Sequence, residues 1–285
     1  MRIALVTAPY HLGHEGVSVG AGPDRLLDEG AVEALEEAGH EVDVVRVVPQ
    51  AGSTNEIGAS FEIVRRVSEA VSRAVEDGAF PIVLSGNCLS SIGIVAGLGR
   101  DVGIVWLDAH ADFNTPESSL SGFADGMGLA VLTGSGWNAL RETVPRYRIV
   151  PEENVVLVGI RDIDDGEHGR LDGSPLQVVA PDGAVEAIGP ALDALRGRVE
   201  DAYLHIDLDV LDPSEGHANE YAAAGGLSAD AVEQVVSAVT SRLTVRAAAL
   251  TAYDPAADAD GRIPPIANRL LTRIAAEAPV AAKAS

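Results

Sequence analysis

Seven short runs of apolar, β-branched residues are separated by helix-length amphipathic segments from one end of the chain to the other, and few architectures satisfy that alternation. Residues 2–6, 41–48, 80–84, 102–107, 155–159, 202–206 and 245–250 read as strands. Residues 26–39, 57–77, 89–98, 184–195, 228–241 and 266–277 carry Leu, Val, Ile or Ala at three- and four-residue spacing and read as amphipathic helices. The runs 104–107 and 245–250 are nearly continuously apolar, as central parallel strands covered on both faces must be. The expected fold is therefore α/β, a parallel sheet with helices on both faces. No Pro-, Gly- or Ser-rich linker, internal repeat or low-complexity tract interrupts the pattern before the Ala-rich tail at 275–285, so one domain over 1–285 is expected. The longest stretch without an element is 111–126, and loops of that length in compact domains are usually functional.

Composition removes several classes of function. With 47% apolar and 22% charged residues in 285, the bulk of the chain is not disordered. Twenty Lys and Arg against 43 Asp and Glu give a net charge of −23 without a basic run, which repels nucleic acid and anionic membrane surfaces. The single cysteine, Cys88, makes no internal disulfide, and residues 1–13 lack a basic n-region and a long apolar h-region. No apolar stretch approaches the roughly 20 residues that span a bilayer. A reducing, cytoplasmic setting is expected.

Chemistry concentrates at two strand ends. The fourth strand runs into Asp108-Ala109-His110-Ala111-Asp112, and alternation starts Asp108, His110 and Asp112 on one side. The sixth runs through His205-Ile206-Asp207-Leu208-Asp209 and delivers Asp207 and Asp209 at its carboxyl end, where open α/β sheets bind ligands. Four carboxylates in one crevice are costly unless cations neutralise them, and two divalent ions would do so. Mostly oxygen donors with one imidazole suit a hard ion such as Mn²⁺. The alternative is that these aspartates are N-caps and turn residues, the common role of a single Asp after a strand.

The motifs Asp108-Ala109-His110-Ala111-Asp112-Phe113-Asn114 and Asp207-Leu208-Asp209-Val210-Leu211-Asp212-Pro213 resemble the two aspartate-rich signatures of the ureohydrolase family of arginases, agmatinases and formimidoylglutamases. Residues 20–23 are similar to its early Gly-Pro segment, Ser85-Gly86-Asn87-Cys88 stands where a Gly-Asp-His stretch is expected, and Gly225-Gly226-Leu227 follows the second motif. The resemblance covers nearly the whole chain. It implies a three-layer α/β/α fold with a parallel sheet of about eight strands, one or two Mn²⁺ per chain, a homo-oligomer (trimer or hexamer), and a hydroxide bridging two metals that hydrolyses a C–N bond of an amidine. By resemblance, Asp108 and Asp207 would bridge both ions, His110 and Asp209 would complete one, and Cys88 and Asp112 the other, with Asp112 also the general base. Asn114 and Ser121 fall where arginases bind the substrate α-carboxylate, and Asp164 and Glu167 match the acidic residues around the α-ammonium. That half of the likeness favours an α-amino acid over a decarboxylated substrate. Read locally, Asn114 and Ser121 are turn residues and Asp164 with Glu167 is a capping box.

Three departures lie at the chemical end. Cys88 replaces a histidine ligand; as a thiolate it favours a softer ion than Mn²⁺, and as a thiol it is a small packed residue. The chain shares that cysteine with the Nω-hydroxy-L-arginine amidinohydrolases, which makes a hydroxylated arginine a candidate substrate. Asp125 stands where arginases place a proton-shuttling histidine, and it needs desolvation to carry a proton near neutrality. Ala252 stands where the guanidinium-binding glutamate belongs; Glu220 could supply a carboxylate from another side, and if it points to solvent the substrate is not a free guanidinium. His205 is expected near the site without a ligand role, and His11, His14, His40, His168 and His217 lack metal spacing. No phosphate loop or dinucleotide fingerprint is present. The leading reading is a manganese-dependent amidinohydrolase for a small arginine-like or N-hydroxyarginine-like amino acid. The alternatives are a hydrolase of another amidine, such as a formimidoyl amino acid, and a ureohydrolase-like metal- or amino-acid-binding protein; deacetylases, with one zinc and no paired signature, rank last.

Overall fold

All seven predicted strands form, and an eighth joins them in one parallel sheet. The structure is a computed structural model; it describes residues 1–50 and 55–278, so the end of the Ala-rich tail lies outside the described residues. In chain order the strands are β1 (Arg2–Ala8), β2 (Glu41–Arg46), β3 (Phe80–Ser85), β4 (Gly103–Leu107), β5 (Val155–Val158), β6 (Gln177–Val179), β7 (Asp201–Asp207) and β8 (Thr244–Thr251). Their order across the sheet is β2-β1-β3-β8-β7-β4-β5-β6. The helices are α1 (Gly22–Asp28), α2 (Ala31–Glu37), α3 (Glu56–Glu76), α4 (Ser91–Leu98), α5 (Gly128–Leu132), α6 (Asn138–Arg141), α7 (Asp165–Gly173), α8 (Ala184–Arg196), α9 (Ala229–Thr240) and α10 (Ile263–Glu277).

The alternation of side chains across each strand builds two cores. Ile3, Leu5, Ile82, Leu84, Val105 and Leu107 face one way and meet Leu35 of α2, Leu192 of α8, Val232 of α9 and Leu270 of α10. Val6, Val83, Ile104 and Trp106 face the other way and meet Phe61 and Val64 of α3, Ile92 of α4 and Leu129 of α5. This is a three-layer α/β/α fold. Each such fully buried aliphatic side chain contributes roughly 1.5–3 kcal/mol, so the sheet is held from both faces. Among the described residues no helix is long and apolar enough to cross a membrane.

Boundaries shift from the sequence reading by a few residues, and one expected helix is two. The helix expected over 26–39 breaks at Gly30, whose φ of 89° belongs to the left-handed region, and Gly30 becomes the N-cap of α2. The strand expected over 41–48 ends at Arg46. The short elements β6, α5, α6 and α7, together with a hairpin pairing Tyr10–His11 with His14–Glu15, give too few residues for a periodic signal.

Topology brings the two aspartate motifs together. In a parallel sheet every carboxyl end lies along one edge, and β7 pairs with β4 so that Leu107 stands opposite Ile206. On its other side β7 pairs with β8, with Asp207 opposite Thr251, and Thr251 in turn pairs with Ser85 of β3. The residues just beyond β3, β4, β7 and β8 therefore converge. Gly86 lets the β3 end approach closely: a Cβ there would lie 2.3 Å from the Tyr10 carbonyl oxygen and 2.8 Å from Gly20 Cα, which places Asn87 and Cys88 at the sheet edge.

Candidate functional site

Asp108 leaves β4 beside Asp207, the last residue of β7, and the backbone of the two turns orients both carboxylates. Asp108 accepts from His110 N–H at 2.7 Å and from Trp106 Nε1 at 2.9 Å. Asp207 accepts from Asp209 N–H at 2.8 Å, and Asp209 accepts from Ala109 N–H at 3.1 Å across the two motifs. Two groups of donor atoms result, sharing Asp108: Asp108, His110 and Asp209 in one, and Cys88, Asp108, His205 and Asp207 in the other. Within the second, Cys88 Sγ donates to Asp207 Oδ2 at 3.0 Å. Asp112 belongs to neither group. Its φ of 48° turns the chain so that its carbonyl accepts from Leu129 and Ala130 N–H, and its buried Oδ2 has no hydrogen-bond partner among the described residues.

Burial sets the charge state of this cluster. Desolvation, with the neighbouring Asp209 charge, raises the Asp108 carboxyl to about 6. Desolvation and nearby carboxylates push Asp112 and Asp207 well above the usual range, and the Cys88 thiol likewise. Burial alone would lower His110, but hydrogen bonds to Asp108 and Asp209 push it up to about 12; the same bonds hold Asp209 well below an ordinary carboxyl despite its burial. Burial lowers His205 to about 3, leaving it neutral. Protons and an imidazolium thus neutralise carboxylates that divalent cations could neutralise instead. The residues fit such ions: the donors converge, and the unpartnered Asp112 Oδ2 is a buried acceptor that a cation or its water would satisfy.

Above this cluster opens a cavity of about 490 Å³ whose floor includes Cys88, Asp112, Asp207, Asp209 and Ala252. Asn114, Ser121 and Asp164 line its wall, and Asn114 Nδ2 donates to Asp164 Oδ2 at 2.8 Å. Glu167 is otherwise engaged: its carboxylate accepts from Phe113 N–H at 2.7 Å and closes the capping box of α7 through Asp164 N–H at 3.3 Å. It secures the wall, as the capping-box reading has it, and lines the cleft together with Asp164. Asp125 also serves the frame, accepting from Asn87 Nδ2 at 2.5 Å and from Leu89 N–H at 2.9 Å, so it braces the Cys88 turn. Burial raises its carboxyl to about 7 against those bonds. The rim carries His11, Phe123 and Tyr221 in a chain of tilted ring contacts, and exposed Glu220 lines the cleft beside Tyr221. The substitute carboxylate is at the rim, not the floor.

Ala252 adopts a φ of 60°, and its carbonyl accepts from Asn219 Nδ2, which also donates to Asp209 Oδ2. A non-glycine residue there stores backbone strain. Ala252→Gly is expected to stabilise the fold by about 0.5–1 kcal/mol, checked by denaturant unfolding. Sequence reasoning missed Asn219, Thr251, Trp106 and Arg161. Trp106 and Thr251 sit on strands feeding the site, two residues before and directly opposite its aspartates, which was a usable signal. Asn219 and Arg161 carry none, although Arg161 clamps the β7 loop by donating to the carbonyls of Asp209, Leu211 and Ala223.

A parallel sheet whose strand ends bear two abutting groups of carboxylate and imidazole donors, one of them with a thiol, beneath a cleft could hold metal ions at a ligand-sized opening. The chain belongs to the arginase family, whose sequence profile matches residues 1–278. The arginase of Bacillus caldovelox is 30% identical over 244 residues, which are 79% of this chain and 82% of that enzyme. The crystal structure of the Bacillus subtilis arginase superposes with a TM-score of 0.87 at 27% identity, covering 96% of this chain and 98% of that one. The formimidoylglutamase of Bacillus subtilis shares the fold, with a TM-score of 0.77 at 17% identity over 97% of this chain and 86% of that one. Membership makes the chain a hydrolase of carbon–nitrogen bonds.

Proposed function

We propose that the chain is a manganese-dependent amidinohydrolase for an arginine-like α-amino acid, with an N-hydroxylated guanidine preferred over the free guanidinium. The observation that carries this reading is the floor of the cleft, where metal-ligating groups surround Ala252 and the spare carboxylate, Glu220, stands at the rim. A fully charged guanidinium lowered onto that floor lacks a bidentate partner and loses several kcal/mol of compensation. N-hydroxylation lowers the basicity of the guanidine, so the neutral group needs no such partner.

Asp108 and Asp207 would hold both ions, His110 and Asp209 one of them, and Cys88 and Asp112 the other. Bound there, the ions lower the pKa of water and polarise the amidine carbon. Asp112 Oδ2, buried and without a partner, accepts the proton as water adds to that carbon. The bond from the carbon to the side-chain nitrogen breaks, that nitrogen takes a proton, and ornithine and hydroxyurea leave. Asp125, whose carboxyl burial raises to about 7, lines the cleft and could carry a proton between the cluster and the Asn87 side. Asn114 and Ser121 would bind the α-carboxylate and Asp164 the ammonium.

The test is metal content and product release on the same Mn²⁺-loaded protein, offered Nω-hydroxyarginine, arginine and a formimidoyl amino acid. Bound metal with hydroxyurea formed at a kcat/KM at least about tenfold above that for urea supports the reading. Turnover of the formimidoyl compound alone selects another amidine, and metal or amino-acid binding without product selects a binding protein. Cys88→His is expected to raise manganese occupancy without improving turnover of arginine.

A further inference from the structure

We propose that the Cys88 position is a soft-donor metal site completed by His205, with Cys88 Sγ, His205 Nε2 and the carboxylates of Asp207 and Asp108 as ligands, and that it takes Zn²⁺ in preference to Mn²⁺. This rests on the reading of the cluster as a metal centre. It adds His205 to that ion's ligand set and makes the centre a mixed one.

One ligand atom from each of Cys88, Asp108, His205 and Asp207 lies within 4.8 Å of all the others, and all four residues are buried. The imidazole is oriented as a ligand would be. Its Nδ1 lies 3.0 Å from both Ser91 Oγ and Tyr203 Oη, which commits that nitrogen and leaves Nε2 for the cluster. Trp106 stacks on the ring at 3.5 Å and 17°, while its Nε1 holds Asp108 Oδ2. One indole therefore fixes two of the four donors. The Thr251 hydroxyl lies 3.1 Å from Cys88 Sγ and 3.3 Å from His205 Nε2, so sulfur and imidazole both face that hydroxyl. When Nε2 is taken, that hydroxyl has the Ile206 carbonyl at 3.5 Å. Thiolate and imidazole together suit zinc, whereas Asp108, His110 and Asp209 retain the oxygen-rich set that suits manganese. Ligation releases the thiol proton to solvent, so binding tightens as pH rises.

The decisive experiment is X-ray absorption on the full chain carrying His110→Ala and one equivalent of Zn²⁺, where His205 is the only imidazole left in either donor group. The expected spectrum has one sulfur at about 2.3 Å and one imidazole nitrogen at about 2.0–2.1 Å. Sulfur without imidazole overturns the role of His205 and leaves the metal reading standing. Zinc without sulfur overturns the site, and zinc that is not retained at all overturns both. Should His110→Ala fail to fold, Co²⁺ titrated into the wild-type protein gives a thiolate charge-transfer band within the first two equivalents, lost in Cys88→Ser. Equal affinity for Zn²⁺ and Mn²⁺ in wild-type competition, or no such band, contradicts the proposal.

Discussion

Asp108→Asn is expected to lower kcat/KM by at least about a thousandfold and to remove most bound metal, because this one residue belongs to both donor groups. Its two oxygens already accept from Trp106 Nε1 and His110 N–H. An amide there must turn its NH₂ toward one of those donors or toward the ions, and neither orientation is tolerable. Loss of a group that merely orients a ligand costs 10–100-fold in metal affinity as a rule of thumb, so loss of a shared ligand costs more. The metal-free fold should change by no more than about 1–2 kcal/mol, since burial already makes that carboxyl favour its neutral form. Metal analysis and unfolding of the same preparation separate the two effects. A variant that keeps its metal and loses only activity would contradict the assignment of Asp108.

The second large effect is on stability against pH. Asp108, with a carboxyl raised to about 6, and Asp112 and Asp207, raised well above the usual carboxylate range, hold protons in the folded chain that the unfolded chain releases near 4. Wherever the folded state binds more protons, stability falls as pH rises. The metal-free protein should therefore weaken steadily from about pH 4 upward through those raised values. Two neighbours do not reverse this. The depressed Asp209 contributes stability that is present above its unfolded pKa and lost only in strong acid, while His110, raised to about 12, contributes fully below its unfolded pKa of about 6.5 and loses that contribution as pH rises from there, adding to the decline. Metal binding displaces the retained protons, so its stabilisation grows with pH. At a free Mn²⁺ concentration a hundred times Kd it amounts to about 2.7 kcal/mol, or roughly 5–10 °C in Tm for a chain of this size. Thermal unfolding with and without Mn²⁺ at pH 5 and pH 8 should show little gain at the first and the full gain at the second. A gain independent of pH would mean that the ions bind away from these carboxylates.

Long-range architecture was legible because it follows from periodicity. The strands that became β4 and β7 were readable as apolar runs ending in aspartates, and their neighbouring positions in the sheet placed Asp108 beside Asp207. What period-based reading could not reach was short or nonlocal. The break at Gly30 depends on one backbone angle, and β6 has three residues. Asp164 and Glu167 illustrate a shared signature: the spacing that matches an ammonium site is also that of a capping box, and only the hydrogen bond from Phe113 N–H shows where Glu167 is used. Asp125 was readable as a proton carrier by position, but its bonds to Asn87 and Leu89 join segments more than thirty residues apart and leave no mark in sequence. His205 was visible two residues before Asp207; its tie to Cys88 through Thr251 needed three strands in register.

The central claim is that this cleft hydrolyses an N-hydroxylated guanidine on an α-amino acid without a floor carboxylate. Its most direct test is the steady-state comparison of Nω-hydroxyarginine and arginine by the Mn²⁺-loaded wild-type protein and by Ala252→Glu, with hydroxyurea, urea and ornithine all quantified. Hydroxyurea and ornithine are expected in equal amounts from the wild type, with little urea, and preference should shift toward arginine when Glu stands at 252. Efficient release of urea from arginine by the wild type, or no product from either substrate with metal bound, would contradict it.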